Sequence, residues 1–126
     1  MKNLDQIRAA NALNAAQGNT FKGVNDGGIV KKVPTMIREN GFLGALAFAC
    51  EKGKENKPKN GDHHKVFEVI LLHLKDVAVV EVDGSSVDAL MAHVVDQSSA
   101  KLREITAESM AYLSYLRRFA SKEDEA

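Results

Sequence analysis

The chain has 126 residues, 17 Lys and Arg balanced by 17 Asp and Glu, a single Cys, no Trp and 44% hydrophobic residues. That length suits one domain, 1–126, able to bury roughly two-thirds of its unfolded surface. The longest apolar run, Phe42 to Cys50, is only nine residues, far short of the ~20 a membrane span needs. Cys50 alone excludes an intramolecular disulfide and a Cys-rich zinc site. Charges recur from Lys2 through Arg8 too early for a secretory apolar region, so a cytoplasmic protein is expected. A net charge of zero argues against tight nucleic-acid binding by an isolated copy. The balance hides an asymmetry. Residues 1–65 carry 11 Lys and Arg against 6 acids and residues 66–126 carry 6 against 11, so the halves stand at +5 and −5. Either one surface serves an anion and another a different partner, or the halves neutralise each other within the fold.

Leu4 to Gln17 reads as a helix rich in Ala, stopped near Gly18-Asn19. Gly18 to Gly28, with four glycines, reads as a loop. A second helix is expected from Gly28, with Ile29, Val30, Val33, Met36 and Ile37 on its apolar side; Pro34 should kink it or mark its first turn, and Asn40-Gly41 should end it. At 100° per residue, Lys31, Thr35 and Arg38 share the opposite side, with Lys32 on the flank nearer Glu39. Phe42 to Cys50 is apolar around its whole circumference, the pattern of a central buried helix. Residues 54–64 read as a flexible basic loop, followed by a helix marked by Val66, Phe67, Ile70, Leu71 and Leu74. Val77 to Val82 has strand propensity but no partner strand, so an extended connector is expected. Ser86 can cap a short helix bearing Val87, Leu90, Met91 and Val94, and Ser98 or Ser99 can cap a last long one. That last helix carries Leu102, Ile105, Ser109, Tyr112, Leu113, Leu116 and Phe119 as a stripe, with Arg117 and Arg118 at its negative dipole end and an acidic tail at 122–126. The sum is an all-α compact bundle of about six helices.

The search for chemistry turns up little that is organised. Asp62, His63, His64 and Glu68 cluster, and His64 with Glu68 has the i, i+4 spacing that can face one metal; further ligands are missing, so solvated His is the favoured reading and no metal site is expected. His73 and His93 read as helix-boundary residues, and Glu104 with Glu108 as a solvated pair without a His partner. Cys50 sits in the most apolar segment and reads as a small hydrophobe, not a nucleophile. Gly27-Gly28 is followed by neither a P-loop nor a dinucleotide fingerprint, and no cofactor is expected. What remains is cationic: Lys31, Lys32 and Arg38 first, Arg8 and Lys52 second, with Phe21 the only nearby aromatic in the loop that precedes them. Cations without aromatic interleaving suit backbone phosphates, not base readout.

The run from Lys31 to Phe48, anchored at Lys32, Pro34, Ile37, Asn40, Gly41, Ala45 and Phe48, resembles the small-subunit family of the type III-B CRISPR effector, the fifth subunit of the Cmr complex. So do the opening Leu4-Asp5-Gln6-Ile7-Arg8-Ala9 and the ending from Thr106 to Ala120. Two positions depart from the family pattern: Tyr115 stands where a Trp is frequent, and Phe42 where a Leu usually follows Asn-Gly. The resemblance implies a non-catalytic, all-helical subunit of an RNA-guided antiviral ribonucleoprotein. Copies of it would stack in a minor filament beside other Cmr subunits, with a basic face on the path of the CRISPR RNA and target RNA. Two readings of other classes stand beside it. One is a small metal-dependent hydrolase using Asp62, His63, His64 and Glu68; the other is a protein-interaction adaptor that touches no nucleic acid.

Overall fold

The structure, a computed structural model, describes residues 2–17 and 23–120, with side chains placed at 2–17 and 28–120. Phe21, Lys22 and the expected acidic tail lie outside them. Helix α1, Leu4–Gln17, starts with a reciprocal cap: Asn3 Oδ1 accepts from the Gln6 amide at 2.8 Å and Gln6 Oε1 accepts from the Asn3 amide at 2.9 Å. Only Ala12 of this helix is buried, and α1 lies chiefly against the last helix.

Helix α2, Gly23–Cys50, starts five residues before the expected Gly28, and Pro34 lies inside it, not in its first turn. Val30, Val33 and Ile37 are buried beside Pro34. Gly41 interrupts the helix with φ 78° and ψ 164°, so the expected stop at Asn40-Gly41 is a break after which the helix resumes. Beyond it Phe42, Ala45, Leu46 and Ala49 are buried, but Gly44 and Ala47 face solvent. All-round burial of this segment is therefore corrected: its neighbours cover one side, and small side chains tolerate exposure on the other.

Residues 51–60 form an ordered turn. Gly53 N–H donates to Lys57 O at 2.7 Å and Lys59 N–H to Glu51 O at 2.8 Å, around a 3-10 turn at Lys54–Asn56. Asn60 Nδ2 donates to Phe48 O at 2.9 Å, and helix α3, Gly61–Asp76, begins directly after it. The expected loop thus ends at 60, and His63 and His64 stand in the first turn of a helix, with Asp62 placed favourably for the helix dipole. The expected extended connector at Val77 to Val82 is irregular but not extended throughout: Val77, Ala78 and Val79 turn back on the end of α3, with Ala78 at φ 60° and its N–H donating to Lys75 O at 3.1 Å, and Val80 is buried.

Helix α4, Val87–Val94, is capped by Ser86, whose Oγ accepts from the Ala89 amide at 3.3 Å. Helix α5, Ser99–Ala120, is capped by Ser98 accepting from the Lys101 amide at 3.1 Å. Its buried stripe is Ile105, Glu108, Ser109, Tyr112, Leu113, Leu116 and Ala120. α2 packs on α3, α4 and α5, and the Phe42 and Phe67 rings meet edge to face at 5.6 Å. Among the described residues the architecture is all-α, with no strand, and none of the helices is long and apolar enough to cross a membrane.

Candidate nucleic-acid interface

The apolar side of α2 turns Val30, Val33 and Ile37 inward, which leaves Lys31, Lys32, Thr35 and Arg38 exposed along the outer side. Arg38 Nη2 donates to Thr35 Oγ1 at 3.3 Å, a contact that leaves its other guanidinium donors available. Among the described residues none of the three cations forms an ion pair. Lys31, Lys32, Thr35 and Met36 line a shallow depression, with Glu39 and Asn40 at its end. The positive charge of Lys32 reaches His63 on α3, whose pKa is lowered first by burial and then, against the pull of Asp62, by Lys32.

The second-tier cations sit elsewhere and are already paired. Arg8 makes a bidentate contact with Glu108, Nε to Oε2 at 2.8 Å and Nη2 to Oε1 at 2.8 Å, and its Nη1 meets Asp5 Oδ1 at 3.0 Å. The hydrogen bond to Glu108 raises the Arg8 pKa, against burial. Lys52 Nζ meets Asp88 at 2.8 and 3.1 Å, which holds the Asp88 carboxyl below its ordinary range. Of the metal-type cluster, His64 Nδ1 lies 3.6 Å from Glu68 Oε1 while the His63 ring packs edge-on against Phe48 at 4.8 Å. Among the described residues no three His, Cys, Asp or Glu gather as metal ligands would. Burial pushes the Cys50 thiol pKa up, and Sγ lies 3.9 Å from the Val87 carbonyl.

Two features escaped the sequence reading. His73, in the last turn of α3, is fully buried, and Glu108 is no solvated acid: it is buried too, with His73 Nε2 at 2.8 Å from Glu108 Oε2. Asn11 Nδ2 meets His73 Nδ1 at 2.9 Å and Asp76 Oδ2 at 3.0 Å, and the His73 ring stacks on Tyr112 at 4.5 Å. This network joins α1, α3 and α5 where apolar contact from α1 is sparse. Glu104, by contrast, is exposed and pairs with Lys101 at 2.8 Å. The second feature is Arg117, which shares a groove with Arg38 between α5 and α2. The spacing of Met110, Leu113, Ser114 and Arg117 carries that signal, being one helical stripe that ends in a cation.

Among the described residues the fold is all-helical and carries a cationic outer face on α2. The family model described as CRISPR-associated protein (Cas_Cmr5) matches residues 4–123, so the chain belongs to the Cmr5 family, that of the small subunit of the type III-B CRISPR Cmr complex. The fold is similar to that of a CRISPR-associated Cmr5 family protein from Thermus thermophilus, known from an X-ray crystal structure. The two are 22% identical, the match covers 96% of each chain, and the TM-score is 0.69. No curated protein matches the chain.

Proposed function

We propose that this protein is a non-catalytic subunit of an RNA-guided, antiviral type III-B effector in the cytoplasm. Its copies stack head to tail beside other Cmr subunits, and the basic face of α2 lies along the backbone of the CRISPR RNA and target RNA. The observation that carries this reading is a row of exposed cations on one helix of a family member, Lys31, Lys32 and Arg38, without carboxylate partners among the described residues. Arg8 and Lys52 enter the reading as lesser contributors, because Glu108 and Asp88 already neutralise them. A few contacts per copy suffice when several copies bind one continuous strand, since each further contact is intramolecular.

The test is target-RNA binding by the assembled effector carrying Lys31→Glu, Lys32→Glu and Arg38→Glu together. Affinity is expected to fall with little dependence on base sequence, and the slope of log K against log salt to fall by roughly 0.7–0.9 per lost phosphate contact. An effector that assembles normally and keeps its slope rejects the phosphate assignment and favours an adaptor that touches no nucleic acid.

A further inference from the structure

The groove between α2 and α5 joins two charges that lie in opposite halves of the sequence. Pro34 and Leu113 are its buried floor, Met110 is half-buried, and Arg38, Ser114 and Arg117 are exposed around it, enclosing about 260 Å³. Among the described residues neither arginine has a carboxylate partner. Arg117 occupies the last turn of α5, where it complements the helix dipole, but that role leaves its donor fork uncommitted. Two guanidinium groups and a hydroxyl around an apolar floor form a site that presents donors to an anion and a dry surface to whatever is attached to it. A phosphodiester with its ribose has that chemistry, and the guanidinium fork matches phosphate oxygens in a way an ammonium does not.

We infer that this groove is a phosphodiester subsite, in which Arg117 and Arg38 grip one backbone phosphate of RNA and Ser114 hydrogen-bonds to the same nucleotide. The inference rests on the proposed RNA-contacting role and deepens it: the strand leaves the α2 face across Arg38 and continues over the end of α5. Arg118, the next residue on the helix, is also exposed but does not line the groove, which makes it the matched charge control.

The experiment measures target-RNA binding by the assembled effector at several salt concentrations, with Arg117→Glu, Arg117→Lys, Arg118→Glu and the α2 triple variant compared with the parent. Arg117→Glu is expected to weaken binding and lower the salt slope by at least about 0.7, while Arg118→Glu leaves both near the parent. Arg117→Lys is expected to keep the slope and still weaken binding, because charge is retained and the bidentate geometry lost. Equal thermal midpoints and equal co-purification of the variants exclude a folding defect as the cause. If the triple variant lowers the slope and Arg117→Glu behaves as Arg118→Glu does, the groove is overturned and the α2 interface stands. If neither lowers it, the RNA-contacting role itself fails, and this subsite with it.

Discussion

Glu108 lies on the buried stripe of α5, three residues after Ile105 and four before Tyr112. Its carboxylate is matched on both sides, by the Arg8 fork from α1 and by His73 from α3. A buried pair of this kind adds little net stability when intact, but removing one partner strands the other. Glu108→Ala leaves Arg8 its Asp5 contact but leaves the buried His73 Nε2 without a partner, so it is expected to cost roughly 1–3 kcal/mol in urea unfolding. The acid side of the stability profile carries a second signature. The Arg8 hydrogen bond, helped by His73 and opposed by burial, holds the Glu108 pKa below its ordinary value. On acidification the unfolded chain takes up this proton first, near pH ~4.3, so the stabilisation is complete above that value and is lost as the pH falls through the lower folded pKa. The parent should lose stability more steeply below about pH 4.3 than Glu108→Gln, which has no proton to take up. None of this was legible from the stripe, because Arg8 lies 100 residues away from Glu108 in sequence. A carboxylate at a core position reads as a misplaced surface residue until its partner is found.

At the scale of the element, Gly41 sets the shape of α2. Its backbone, at φ 78° and ψ 164°, lies in a region open essentially to glycine, and a Cβ there would meet nothing within 4 Å. The cost of Gly41→Ala is therefore conformational and not steric, about 1–3 kcal/mol by thermal or denaturant unfolding. A cost near zero would mean that the break relaxes without it. The Asn40-Gly41 pair announced this break locally, as Ser86 and Ser98 announced the starts of α4 and α5. Other boundaries were not local. The glycines at 23, 27 and 28 argue against helix by propensity, yet α2 includes them. Likewise α3 starts at Gly61, where the Asn60 side chain anchors the turn to the Phe48 carbonyl. Propensity is a matter of tenths to one kcal/mol per residue, and tertiary contacts override it.

At the scale of the molecule, the +5 and −5 halves are partly joined inside the fold: Arg8 with Glu108 and Lys52 with Asp88 each pair a cation of the first half with an acid of the second. Among the described residues Lys31, Lys32 and Arg38 on α2 keep exposed charge without an ion-pair partner, and exposed acids stand at Glu81, Asp83, Asp96 and Glu104, the last of them paired with Lys101. In the proposed head-to-tail stack, acids of one copy would meet the basic α2 face of the next, a heterologous contact that extends an array without closing a dimer. Reversing these four acids to Lys is expected to weaken self-association and co-assembly, read by sedimentation and co-purification, and most at low salt. Unchanged assembly would remove the head-to-tail arrangement while leaving the α2 contact with RNA in place. The sequence by itself determined the helical class, the Gly41 break, the serine caps and the cationic side of α2, because each depends on neighbours within one or two turns. Only the tertiary structure decided which charges remain available. Whether a cation meets a carboxylate depends on helices that pack from distant parts of the chain, and so does the placing of Arg117 beside Arg38.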